Sequence, residues 1–430
     1  MQSGDDVTVT SLFEGSPAYR AGIRRGDVIA RVGAESAKGW TTSDVVAKVK
    51  GPKGTTIELA MRRPGVESLI EMTVERDEIK IATVRTAFMI APGTGYIRLQ
   101  DFSETTNTEL TDALGQLKRE GMARLVLDLR DNPGGPLDQA IAVSNQFLAR
   151  GQMIVSTHGR IPNSNDEYRA TEQGRYRDVA LIVLVNRGSA SASEIVTGAM
   201  QDHDRGLVVG ETTFGKALVQ SVYPISNAAG LALTTGRYHT PSGRMIQRPW
   251  DGSFDEYLTY SQRDQAATQV HQPSELTYTD GGRKVYGGGG IEPDHFLPGP
   301  VEGFNPTRFS RLLKERQVFA GFAERFTREG DERPASKSGA KAHKVAQRWQ
   351  VTPELLTEFR DYLTELRVKV DDAALKTDAE FIKAMIRFEV DVDLFSVAEA
   401  RRNLTKVDPQ AQAALGYFSE ASQLLQLPKK

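Results

Sequence analysis

The residues Val179-Ala180-Leu181-Ile182-Val183-Leu184-Val185 form an unbroken apolar run that ends at Asn186-Arg187-Gly188. A run this short, rich in branched aliphatic residues and closed by a turn signal, reads as a strand covered on both faces. Leu125-Val126-Leu127-Asp128-Leu129 and Gly206-Leu207-Val208-Val209-Gly210 repeat the pattern. Asn107 to Glu120 carries Leu110, Leu114 and Leu117 on one helical stripe, and Gly95-Tyr96-Ile97-Arg98-Leu99 is a further strand. The alternation of strands and helices predicts an α/β domain from about Val84 to Glu292.

A chain of 430 residues exceeds what one compact core holds, and two flanking regions differ in character. Residues 6 to 78 read as a small β-rich unit. Val7 to Val9, Val28-Ile29-Ala30-Arg31-Val32, Thr56–Met61 and Leu69–Val74 are its strands. A helix carrying Val45, Val46 and Val49 stops at Gly51-Pro52. The last 130 residues read as helical. Thr352-Pro353 starts a helix with Leu355, Leu356, Phe359, Tyr362, Leu363 and Leu366 at helical spacing, and Thr377-x-x-Glu380 is a capping box. Asp408-Pro409 opens a last helix, and Gly330 to Lys344 reads as a mobile link. The expected boundaries are 1–80, 81–300 and 301–430.

Composition removes several functions. Net charge is −2, which gives no general pull toward nucleic acid or anionic lipid. The cysteine count is zero, which excludes disulfides, thiolate metal sites and cysteine nucleophiles. No apolar run reaches the roughly 18 residues of a membrane-spanning helix. Met1 to Val9 lack the basic and apolar segments of a secretory signal. Either the protein stays in the cytoplasm or an export segment lies upstream.

The most informative segment is Asn186-Arg187-Gly188-Ser189-Ala190-Ser191-Ala192-Ser193-Glu194, where a buried strand gives way to a helix. A serine there lies near free helix N–H groups, where developing negative charge is favoured. The plain alternative is that these serines cap and pack. In Gly210-Glu211-Thr212-Thr213-Phe214-Gly215-Lys216, the lysine sits among Phe214, Gly215, Ala217 and Leu218. Burial there would lower its pKa toward that of a base, whereas a lone lysine more often extends its head to water. In Asp128-Leu129-Arg130-Asp131-Asn132-Pro133-Gly134-Gly135, paired glycines allow close backbone approach to a ligand.

Histidine gives no substitute base. If Ala192 to Asp202 is helical, His203 lies about 18 Å along the axis from Ser191. Asp202-His203-Asp204 reads as a solvated helix end. No Gly-x-Ser-x-Gly elbow occurs, and Gly287–Gly290 reads as a flexible turn, since it lacks the Lys-Ser/Thr of a phosphate loop.

The three segments, in their chain order, resemble the carboxy-terminal processing peptidases of family S41, serine proteases with a Ser–Lys dyad. The resemblance runs over residues 6 to 295. It implies Ser191 as nucleophile, Lys216 as general base and Gln220 as the residue that orients the amine. It also implies an oxyanion hole from the N–H of Ala192 and that of Gly134 or Gly135. Gly15-Ser16-Pro17-Ala18, Ala21-Gly22-Ile23 and Gly26-Asp27-Val28-Ile29 resemble a PDZ domain, whose helix around Val45 and Val49 would line a peptide groove. The family's carboxylate-binding loop should precede Val7 and is absent. The implied fold is multidomain α/β: a PDZ-like β-rich domain, a ClpP/crotonase-like ββα protease core and an α-helical C-terminal region. The implied activity is endopeptidase cleavage near unstructured C-terminal tails of proteins, through an acyl-enzyme, in the periplasm or an equivalent exported space. It requires no cofactor, metal or nucleic acid, and leaves open a homo-oligomer and a regulatory adaptor. Two other classes compete: a peptide-binding adaptor with a vestigial dyad, and an acyl-CoA enzyme on a crotonase-like core.

Overall fold

The computed structural model describes every residue except 1, 4, 5, 14, 65, 80, 161–164, 227, 228, 250–254, 256, 258, 261–270, 299–305, 329–344, 347, 348 and 428–430. The link expected at 330–344 lies outside the described residues. The chain forms two compact units, Met1–Ile81 with Gly303–Leu404, and Ala82–Glu302 with Thr405–Lys430. The helical tail expected as one region therefore divides between them.

The first unit begins with the short strands β1 (Gln2–Ser3) and β2 (Asp6–Val7) and the turn of helix α1 (Pro17–Arg20). Strands β3 (Val28–Val32), β4 (Glu35–Ser36), β5 (Thr56–Arg62) and β6 (Ile70–Glu75) form an antiparallel sheet in the order β4-β3-β5-β6. Helix α2 (Thr42–Val49) starts at a Thr41–Asp44 capping box. Val45 and Val49, expected on a peptide groove, turn inward. Val45 is buried and Val49 packs against the cluster of Ile23, Val32, Leu59 and Met61, leaving Val46 exposed. A three- to four-residue apolar spacing places such residues on the helix's inward side.

In the second unit, strands β7 (Val84–Ala91), β8 (Thr94–Leu99), β9 (Arg124–Asp128), β12 (Ala180–Val185), β13 (Leu207–Gly210) and β18 (His295–Phe296) make a six-stranded sheet. Its order is β18-β13-β12-β9-β8-β7, parallel throughout except for the β7–β8 hairpin. Alternation within the apolar runs sorts side chains to opposite faces. Leu125, Leu127, Leu181, Val183 and Val185 meet helices α3 (Thr106–Arg119), α4 (Leu137–Asn145) and α5 (Ala192–Asp202). Val126, Ala180, Ile182 and Leu184 meet Phe418, Ala421 and Leu424 from the end of the chain. The C-terminal segment is thus the second cover of the sheet. Each fully buried large side chain there contributes about 1.5–3 kcal/mol.

A second sheet, in the order β11-β10-β15-β14, joins β10 (Met153–Gly159), β11 (Asp166–Arg169), β14 (Leu218–Ser226) and β15 (Ala229–His239). The small pair β16 (Leu276–Tyr278) and β17 (Lys284–Tyr286) completes the strands.

The remaining tail helices fall in the first unit: α6 (Arg308–Glu315), α7 (Val318–Arg328), α8 (Pro353–Glu365), α9 (Asp372–Thr377), α10 (Ala379–Leu394) and α11 (Val397–Thr405). They pack around Phe319, Phe322, Phe359 and Phe381. Arg25, next to the β-rich unit's Gly26 turn, pairs with Glu389 of α10 at 2.9 Å. The last helices, α12 (Pro409–Ala414) and α13 (Phe418–Leu424), belong to the second unit.

Candidate active site

Strands β9, β12 and β13 run parallel and end together, since Asp128 pairs with Leu184 and Val185 with Gly210. The three segments singled out from sequence are the loops at those carboxyl ends. Open α/β sheets bind their ligands at that edge.

The Ser191 turn is tightly made. Ser191 stands at the N-terminus of α5 with φ 56° and ψ −114°, a region that L residues rarely occupy. The backbone makes a strand-to-helix elbow without the glycine pattern that usually marks one. Its serines divide in role. Ser189, fully buried, donates to Leu129 O at 2.7 Å, and Ser193, also buried, donates to Asn132 O at 3.0 Å. Both fasten the turn to the loop after β9, and only Ser191 is left partly exposed.

That loop is itself held in place. Asn186 Oδ1 accepts from the Asp131 and Gly188 N–H groups at 2.8 and 3.0 Å. Asn132 donates to Leu99 O and accepts from Gly134 N–H at 2.9 Å. Gly134 has φ 93°, and a Cβ on it would lie 2.8 Å from both Ala192 N and Ser191 Cβ. Only glycine lets the loop close on the Ser191 turn. Ala192 begins α5, where N–H groups lack intrahelical partners, and Gly135 N–H donates to no acceptor among the described residues.

The lysine turn is joined to the Ser191 turn by a residue whose place sequence reasoning missed. Glu194, fully buried, accepts from Ser191 N–H at 2.8 Å and Lys216 N–H at 2.9 Å through the same oxygen, Oε2. Its Oε1 accepts from Gly215 N–H at 2.7 Å and the Thr213 hydroxyl at 2.6 Å. Burial raises the Glu194 carboxyl pKa above the usual carboxylate range, and those four donors hold part of the rise back. The signal available in sequence was a glutamate three residues after an N-cap serine.

The expectation of a buried lysine is not met. Gly215 and Ala217 are buried, but Lys216 is exposed, and so is Gln220 on β14. Among the described residues no hydrogen bond joins Lys216 Nζ to Ser191 Oγ or to Gln220. The backbone of the turn is packed, and its long side chain leaves that packing for water.

Two further expectations change. Asp202-His203-Asp204 is buried, not solvated. Asp202 pairs with Arg244, His203 bridges Asp280 and Met153 O at 2.7 Å each, and Asp204 pairs with Arg283 at 2.5 Å. Charged residues at a helix end signalled exposure, but each finds a partner distant in sequence. Gly287–Gly290 is hydrogen-bonded structure: Gly288 and Gly290 donate to Met245 O and Ile246 O. A Cβ on Gly290 would lie 2.4 Å from Thr213 O, so that segment packs under the lysine turn.

Residues 93–252 match the profile of peptidase family S41, and residues 8–63 match that of a PDZ domain. The chain carries an S41 peptidase domain and a PDZ domain. The S41 match contains Ser191, Lys216 and Gln220 together with the loop after β9. The chain is 40% identical over 245 residues to a carboxy-terminal-processing protease of Bartonella bacilliformis, covering 56% of each. It is 37% identical over 243 residues to the carboxy-terminal processing protease CtpA of Bacillus subtilis, covering 56% of this chain and 51% of that one. Among solved structures it resembles a photosystem II D1 C-terminal processing protease, at 35% identity and a TM-score of 0.35, over 57% of this chain and 66% of the other. The chain spans about half the length of the curated relatives it matches.

Proposed function

We propose that this S41 chain is a serine endopeptidase in which Ser191 attacks the scissile carbonyl and Lys216 is the general base. The observation that carries the reading is the Glu194 carboxylate, which holds the main chains of Ser191 and Lys216 on one oxygen atom. From that anchor the four-carbon lysine stem folds inward when substrate fills the site and displaces water. A serine hydroxyl needs such a base.

In the first step the Ser191 Oγ–carbon bond forms as the Oγ proton passes to the neutral Lys216 amine. The tetrahedral oxyanion accepts hydrogen bonds from Ala192 N–H and from Gly135 N–H, since Gly134 N–H is committed to Asn132. The C–N bond then breaks, and the leaving amine takes the proton from Lys216. Water attacks the resulting acyl-enzyme, with Lys216 again accepting and returning a proton. Gln220 turns its amide oxygen to the amine and orients it without adding charge. The PDZ domain captures unstructured C-terminal tails by strand addition, and the working compartment is the periplasm or a similar exported space.

The exposure of Lys216 favours one competing reading, a peptide-binding protein whose dyad never closes. A fluorophosphonate probe separates the two. Labelling that disappears in Ser191→Ala and Lys216→Ala, with loss of cleavage of an unfolded tailed protein, supports the peptidase. A chain that neither labels nor cleaves is the binding protein.

A further inference from the structure

We propose that Arg130 is a positioning residue that couples the C-terminal segment to the loop after β9, so that Asp408 and Gln410 set the geometry of the oxyanion donors. The inference rests on the peptidase reading for its catalytic consequence, but not for its structural one.

Arg130 lies two residues before Asn132, the residue that fixes Gly134. It is 6% exposed, and each of its guanidinium nitrogens is engaged. Nε donates to Asp128 Oδ1 at 3.0 Å, and Nη2 donates to Asp128 Oδ2 and Asp408 Oδ2, each at 2.7 Å. Nη1 donates to Asp408 Oδ1 at 3.1 Å and Gln410 Oε1 at 2.9 Å. Asp408 is also the N-cap of α12, accepting from Gln410 and Ala411 N–H at 3.0 and 3.1 Å. Gln410 donates onward to Leu297 O at 2.9 Å. The pair therefore joins the last segment of the chain to the backbone that turns at Asp131, where φ is 58°.

Stability alone does not call for such a network. Buried ion pairs are often replaced by apolar residues without loss, and their best-attested use is to fix one arrangement among several. Here the arrangement fixed is the turn that delivers Asn132 and Gly134 beside Ser191. The guanidinium's hydrogen bonds go to Asp128, Asp408 and Gln410 and not to Ser191, so it acts through the loop. The planar two-sided fork matters, because it must meet two carboxylates at once.

Asp408→Asn and Arg130→Met, made in the full chain, test this. Expected is a fall in kcat of about 10²-fold, the cost of misplacing a catalytic group by about 1 Å, with KM within about twofold. The double variant falls no further than Arg130→Met alone, because both act through one link. Phe418→Leu, in the same segment but packed on the sheet, lowers Tm and leaves kcat per folded molecule unchanged. Hydrogen exchange supplies the second readout: the bonded amides of Asp131, Asn132 and Gly134 exchange faster in Asp408→Asn, while those of α5 do not. That readout stands even if the wild-type chain hydrolyses nothing, an outcome that would sink the peptidase reading alone. Unchanged exchange at Asp131, Asn132 and Gly134, or losses in kcat that merely follow the folded fraction as in Phe418→Leu, would overturn the coupling.

Discussion

The nucleophile turn and the lysine turn leave neighbouring strands and share one carboxylate, yet they are built to different tolerances. Around Ser191, buried serines, Asn132, Asn186 and Gly134 fix every approach, and the backbone is held in a conformation it would not adopt alone. Around Lys216, only the main chain is held. The side chain meets water, and the hairpin of β14 and β15 that follows exposes Val222, Tyr223, Ile225, Leu231 and Leu233. On the proposed mechanism, one half of the dyad is preset and the other is assembled at the moment of use, as binding energy spent on closing a site allows.

The largest effect should separate chemistry from scaffolding. Ser191→Ala and Lys216→Ala each lower turnover of a tailed substrate by about 10⁴-fold or more. Circular dichroism and Tm should stay near wild type for Lys216→Ala, because its side chain packs against little. A Lys216→Ala enzyme with near-normal turnover would end the idea that the exposed amine swings in.

Glu194 comes next. Glu194→Ala leaves three N–H groups and the buried Thr213 hydroxyl without their acceptor and should cost about 3 kcal/mol or more in denaturant unfolding. Turnover measured on folded protein should fall about 10²-fold as the two turns separate. The pH profile gives the sharper test. Because burial raises this carboxyl, it protonates at a higher pH than an ordinary glutamate as acid is added. Protonation places a hydrogen on an oxygen that already accepts N–H donors, so it should add an inactivating step to the rate profile that begins above the ordinary glutamate range. In Glu194→Gln that step should disappear, leaving the limb that protonation of the proposed base Lys216 imposes in both enzymes. A step that persists unchanged in Glu194→Gln assigns it to another group.

How much of this was legible beforehand follows from range. The strand runs were readable because burial on both faces writes itself into consecutive residues such as Leu181, Ile182 and Val183. The elements of the site were readable as short contiguous motifs. Asp202 and His203 were not, because their partners Arg244 and Asp280 lie 42 and 77 residues away. The helix that covers the sheet was unreadable for the same reason, as was the Arg130–Asp408 link across 278 residues. The exposure of Lys216 misled differently. Apolar neighbours in sequence bury a backbone without burying a long side chain, whose direction depends on rotamer and not on spacing.

Strain gives a third test of the contrast. Ser191→Gly and Ser191→Ala are both expected to be inactive, but glycine accepts a positive φ and alanine does not. The glycine variant should therefore be the more stable of the two by about 1 kcal/mol in chemical denaturation. Equal stabilities would mean that the turn is not held against its preference, and the preset half of the comparison would lose its basis.

The smallest effect belongs to the hairpin. Val222 is 70% and Ile225 is 68% exposed, so replacing both by serine removes little buried apolar area. Unfolding free energy should change by no more than about 0.5 kcal/mol, the range of ordinary surface substitutions. Leu184, fully buried on β12, provides the internal reference, since Leu184→Ala should cost about 2–5 kcal/mol. A loss above about 1 kcal/mol in the hairpin variant would mean that its side chains pack in solution and that the lysine turn leads into a supported element. A negligible loss, with Lys216→Ala inactive, leaves a loosely supported base beside a rigid nucleophile.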